Sequence, residues 1–170
     1  MRRLRIQLTL GCLLLATAAA AQTTPVHPNF SGIWKMDAEK SDFGASEAPQ
    51  SAEYVIRHLH STLAFDYTQD GNTSRVEITP DNEERVTNET GDLQTWTRAH
   101  WSGEELVMEA RQKSRNLQAS AVPIKWTSRW KLSPDRKVLT IQRRITTPQG
   151  AIDQVVVFVR QPLGPRASNQ

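Results

Sequence analysis

Almost everywhere beyond residue 29, hydrophobic side chains recur at every second position, and no long stretch repeats at i, i+3, i+4, i+7. A chain with that period buries its apolar residues as half-covered strands, which excludes helical bundles and alternating α/β architectures. The clearest case is 124–132, where Ile124, Trp126, Ser128, Trp130 and Leu132 share one face and Lys125, Thr127, Arg129 and Lys131 the other. Ser133, Pro134 and Asp135 then form a turn, and Leu139, Ile141, Arg143 and Ile145 resume the alternation. The run Val155 to Val159 is apolar on both faces and reads as buried on both. The pattern predicts ten strands, over 30–36, 54–60, 63–69, 75–78, 85–88, 94–101, 105–111, 124–132, 138–145 and 152–160. Residues 37–51 and 113–122 interrupt it, the first as a loop with at most one helical turn.

With 170 residues there is room for one domain. A meander of short hairpins removes its exposed edges by closing on itself, so the expected fold is all-β: an antiparallel up-and-down barrel of about eight to ten strands. It spans 29–162, after a lead-in over 22–28 and before a Gly- and Pro-containing tail over 163–170 that reads as disordered. The first 21 residues read as a secretory signal peptide, with Arg2, Arg3 and Arg5, an apolar run and Ala19, Ala20 and Ala21 as the cleavage site. The expected location is periplasmic or extracellular. Cys12, the only cysteine, lies inside that run and is preceded by Thr9-Leu10-Gly11, a poor lipoprotein box, so lipid anchoring is not expected. Removing the leader leaves no thiol, and it leaves 18 basic against the 18 acidic residues. Cysteine-ligated zinc, disulfides and thiol catalysis are then excluded, and a neutral chain has no global pull toward nucleic acid. No permanent membrane span is expected.

Gly32-Ile33-Trp34 resembles the G-x-W that opens the first strand of lipocalin-type (calycin) barrels. Phe30-Ser31-Gly32, Lys40-Ser41-Asp42-Phe43-Gly44, Trp101-Ser102-Gly103, Trp130-Lys131-Leu132-Ser133-Pro134-Asp135 and Pro148-Gln149-Gly150 together resemble small secreted bacterial lipocalin-like proteins of unsettled function, over most of 29–161. The resemblance implies that Trp34 closes the barrel base, that Gly32 lets the chain pass beneath it, and that an Arg near the last strand covers the indole. Arg160 is the best-placed candidate, with Arg143 and Arg144 behind it. Departures are an early Phe65-Asp66-Tyr67 where the family has a mid-chain T-D-Y motif, and no helix after the last strand.

The leading functional expectation is a binder of one small, largely apolar or amphipathic ligand. Trp126 and Trp130, with Trp96 as a further candidate, would supply an aromatic wall. Arg143 falls in the apolar register of its strand, where a guanidinium suits a ligand carboxylate unless the strand end is solvated or an internal acid pairs it. Two alternatives stand beside it. One is an envelope interaction module with a solid barrel. The other is a metal or haem site in which His58 and His60, two apart on one strand face, are joined by His100. No nucleophile elbow, H-E-x-x-H, P-loop or dinucleotide fingerprint occurs, and no cofactor is predicted.

Overall fold

The computed structural model describes residues 27–114 and 124–162. The expected leader, residues 22–26 of the lead-in, the tail and most of the second irregular stretch lie outside these residues. Ten antiparallel strands follow in order: β1 (Gly32–Met36), β2 (Ala52–Leu59), β3 (Thr62–Gln69), β4 (Asn72–Ile78), β5 (Glu84–Thr90), β6 (Leu93–Ser102), β7 (Glu105–Ser114), β8 (Ile124–Leu132), β9 (Val138–Thr147) and β10 (Gly150–Gln161). Their hydrogen-bonded order is β4-β3-β2-β1-β10-β9-β8-β7-β6-β5. The last strand therefore pairs with the first, as Trp34 opposite Arg160 and Met36 opposite Phe158 show. The single sheet curls into a nearly closed barrel whose free edges are β4 and β5.

Most predicted strands stand within a few residues of their expected bounds. The exceptions have local causes. Strand β4 begins at Asn72 because Asp70 and Gly71, at φ 48° and 83°, suffice for a two-residue hairpin turn whose left-handed backbone matches the strand twist. The turn before β3 is likewise shifted: β2 ends at Leu59, and His60 occupies the turn at φ 54°. Phe30, expected inside the first strand, precedes β1 and is fully buried under the barrel. The run 37–51 contains one 3-10 turn over Ala38–Lys40, capped by the Asp37 carboxylate accepting from the Lys40 N–H. Asp42 then bridges Val155, and Asp37 N–H donates to the Val157 carbonyl at 2.8 Å. That strap covers Val157 on the outside of β10, so burial on both faces holds for Val157, while Val155 stays 37% exposed.

The inward-facing register decides where the barrel is solid. At the end where β1 begins it carries Ile56, Leu63, Ala99, Leu106, Trp130, Leu139, Ile141 and Phe158, which pack with Phe30 and Trp34 into one core. Two to six residues further along the same strands the inward positions become Thr97, Thr95, Gln112, Ser128, Arg143 and Gln154. Small and polar side chains fill less space than the Leu and Trp they succeed. One half of the barrel is thus closed by its own side chains, and the other is hollow.

Candidate functional site

Arg143 sits at the change from solid to hollow. Strand β9 turns it inward by the same alternation that buries Leu139 and Ile141. It lines a cavity of about 230 Å³ together with Tyr54, Phe65, Met108, Trp126 and Trp130 on the apolar side and Thr95, Thr97, Gln112 and Ser128 on the polar side. Val76 of β4 and Thr87 of β5 also line it, so it reaches the gap between the two unpaired edges. A second chamber of about 190 Å³ is also lined by Arg143, with Met36, Phe43, Tyr67, Ile145 and Val156. The guanidinium is common to both.

The electrostatics of this region are those of a donor cluster. Arg143 Nε is buried and makes no hydrogen bond, and the same is true of the Trp130 indole Nε1. Among the described residues no carboxylate is ion-paired with Arg143. Among the described residues the first cavity has no acidic residue in its wall, and the second has only Glu47, on the loop that follows β1. The Tyr54 hydroxyl is fully buried, and burial pushes it up to about 12 although the nearby Arg143 charge pulls the other way. Burial raises Tyr67 as well, with Arg143 again opposing. Both phenols therefore stay protonated at neutral pH, but the Tyr67 hydroxyl already donates to Gln69 Oε1 at 2.7 Å and the Tyr54 hydroxyl meets the Arg143 guanidinium, so the unpaired donors are Arg143 Nε and Trp130 Nε1. An unpaired buried donor costs about 1–3 kcal/mol, so this arrangement favours occupation by an acceptor.

The other predicted residues are placed as follows. Trp126 and Trp130 line the first cavity, Trp130 fully buried and edge-on to Tyr54 at 5.0 Å between ring centroids. Trp96 does not join them. Its neighbours Thr95 and Thr97 take the inward positions of β6, so the indole lies on the outer surface, with Arg111 4.4 Å and Lys113 4.9 Å from its ring centroid. Trp34 is completely buried, and its indole N–H donates to the Phe30 carbonyl at 2.9 Å. The Arg160 guanidinium lies 4.2 Å from the Trp34 ring centroid and donates to the Ser31 and Arg136 carbonyls. Gly32, at φ +148°, passes so close that an added Cβ would stand 3.0 Å from Arg160 Nη1.

The three histidines are not brought together. His60 has left the strand for the turn, and His100 follows the inward-facing Ala99 and so takes the outer face of β6. A different third imidazole, His27, joins His58 and His60 in an open cleft at the solid end of the barrel, beside Trp101 and Asp81. His27 stacks on Trp101 at 4.3 Å, and His58 Nδ1 accepts from the Phe30 N–H at 3.4 Å. Burial holds His58 below its ordinary 6.5. Among the described residues no group of three or more His, Cys, Asp or Glu is placed to hold a metal ion.

No protein-family model matches the sequence, and no curated protein matches it significantly. Solved structures do match. They include a zebrafish ileal bile acid-binding protein complexed with cholic acid, at 10% identity and a TM-score of 0.56, covering 78% of this chain and 98% of that one. Caenorhabditis elegans lipid binding protein 8 matches at 13% identity and a TM-score of 0.54, covering 78% and 95%. The REP1-NXSQ fatty acid transporter matches at 12% identity and a TM-score of 0.55, covering 79% and 97%. At such identities the likeness is one of fold, and the fold is a ten-stranded, calycin-like β-barrel.

Proposed function

We propose that this chain is an exported carrier or sensor that binds one small amphipathic acid in the hollow half of its barrel, with the acid group against Arg143. The observation that carries the reading is the inward-turned guanidinium whose Nε is buried without a partner in a cavity that has no acidic wall residue among the described residues. A guanidinium in that setting gains charge-assisted hydrogen bonds from a carboxylate beyond its contact with the Tyr54 hydroxyl. The cavity's apolar side takes the rest of the molecule by burial of aromatic and aliphatic surface. Structural neighbours named for lipid, fatty-acid and bile-acid binding support a ligand of this general kind. Hollowness also favours this reading over a solid interaction module. Export rests on the Arg-rich, Ala-ending leader.

Intrinsic tryptophan fluorescence is the direct test, because Trp126 and Trp130 line the cavity. Titration with matched pairs of an acid and its methyl ester is expected to quench or shift the emission, with the acid preferred at least about tenfold, the worth of one charge-assisted hydrogen bond. Arg143→Leu is expected to erase the preference and leave the ester unaffected. Equal binding of acid and ester, or equal loss of both in the variant, overturns the role of Arg143.

A further inference from the structure

Two chambers that share one cation restrict the ligand's shape. Among the described residues Arg143 is the only one that lines both the cavity of about 230 Å³ and the chamber of about 190 Å³. The two adjoin beside it: Tyr54 of the first and Tyr67 of the second stack at 4.5 Å between ring centroids, and the Arg143 charge acts on both phenols. At about 30 Å³ for a group the size of a water or a methylene, the first holds about eight methylenes and the second about six. Each volume alone falls short of the usual range of about 300–1,000 Å³ for a small-molecule site, and the pair together reaches it. Both walls accept hydrocarbon. The second chamber presents Met36, Phe43, Ile145, Val156 and Phe158, its Tyr67 hydroxyl is taken up by Gln69, and Glu47 on its wall is exposed to solvent. In the first, hydroxyls of the wall are satisfied within it: Thr87 and Thr97 Oγ1 stand 2.8 Å apart, and Gln112 Nε2 donates to Thr95 Oγ1 at 3.2 Å. Methylenes against that wall leave none of these three hydroxyls unpaired. A straight-chain acid uses this space poorly. With its carboxylate on Arg143 it fills one chamber and leaves the other to water; to fill both it carries methylenes past the guanidinium and draws its carboxylate away.

We propose that the site selects an acid whose carboxylate stands at a branch point between two hydrocarbon arms, one arm in each chamber, over a straight-chain acid of the same size. The inference rests on the Arg143 reading and adds the branch to it.

Isothermal titration of the full mature chain with 2-hexyldecanoate and palmitate tests it, each below the concentration at which it forms micelles and each beside its methyl ester. The two acids are isomers of equal carbon number that differ only in where the carboxylate sits. 2-Hexyldecanoate, with arms of eight and six carbons, is expected to bind at least about tenfold tighter than palmitate, a factor that burial of about two further methylenes supplies. Val156→Phe, which adds bulk to the second chamber, is expected to remove the preference for the branched isomer while keeping the preference for acid over ester. Arg143→Leu is expected to remove both preferences, because nothing then fixes the branch point. If Val156→Phe does not fold, the comparison of the isomers on the unaltered chain still decides. Palmitate binding as tightly as its isomer or tighter, with its methyl ester much weaker, overturns this inference and leaves the acid-binding reading standing. A branched preference that survives in Val156→Phe also overturns it alone. If neither acid binds in preference to its methyl ester, both readings fall.

Discussion

Replacing Gly32 by Ala tests whether the closed end of the barrel is held as the geometry says. The position sits at φ +148°, a backbone conformation that L side chains rarely adopt, and the new Cβ would lie 3.0 Å from Arg160 Nη1 and 3.4 Å from Trp34 Nε1. Backbone strain alone costs about 1–3 kcal/mol. Relief of the clash requires Arg160 to withdraw, because Trp34 is fully buried and fixed by its bond to the Phe30 carbonyl. Withdrawal gives up a cation–π contact of about 1 kcal/mol and the 2.7 Å bond from Arg160 Nη1 to the Ser31 carbonyl, a charged-donor bond of about 1.5–3 kcal/mol that water partly replaces. The expected loss is therefore about 2–4 kcal/mol, read as the shift of a urea midpoint at unchanged m-value. The decisive measurement is the double-mutant cycle with Arg160→Met. In that background the clash and the Arg160 contacts are already gone, so Gly32→Ala should cost only its backbone strain, and the two changes should couple by at least about 1 kcal/mol. Additive effects would refute the claim that Gly32 is glycine for the sake of Arg160.

Three further outcomes follow from the site. Arg143→Leu is expected to raise the stability of the empty protein by about 1 kcal/mol, since an unpartnered buried donor is replaced by an apolar side chain; a lower urea midpoint would show that the guanidinium is already satisfied. His58, held below 6.5 by burial, takes up a proton more readily in the unfolded chain. Its contribution is fully present above about pH 6.5 and is lost as the pH falls through the folded value, so stability should decline over that interval and His58→Asn should flatten the profile. Finally, Trp96→Phe is expected to leave ligand-induced fluorescence changes intact because Trp96 faces solvent under Arg111 and Lys113, whereas Trp126→Phe should diminish them.

Alternation made the strands legible because a barrel wall forces it, and each of the ten was visible in the sequence. The inward turn of Arg143 was legible for the same reason: it shares the register of Leu139 and Ile141. Trp96 was not, although the same rule applies. Its strand has Thr95, Thr97 and Ala99 inside, small residues that carry little apolar signal, so the large indole dominated the reading of that face. The histidine grouping failed on one residue of register. Placing the turn at Ser61-Thr62 kept His60 in the strand, whereas the left-handed backbone at His60 puts it in the hairpin. His27 was missed because its place beside Trp101 is a contact between distant parts of the chain with no local pattern.

The division of the barrel into two halves explains how it tolerates a site so poorly satisfied. Proteins keep a margin of only about 5–15 kcal/mol, and two buried orphan donors cost several of these. The fully buried Phe30, Trp34, Leu63, Leu106, Leu139, Ile141 and Phe158, with the body of Trp130, lie at the solid end, where β1 and β10 pair and Arg160 covers the indole. Each such side chain contributes on the order of 1.5–3 kcal/mol by burial. The polar inward residues begin only beyond that layer, on the side where the unpaired edges of β4 and β5 meet the cavity. Strands continuous through both halves carry the rigidity of the packed end into the hollow one, so Arg143 Nε and Trp130 Nε1 keep their positions without an internal acceptor. Filling the hollow half with leucine would stabilise the barrel and remove the one region in which its buried donors have use for a ligand.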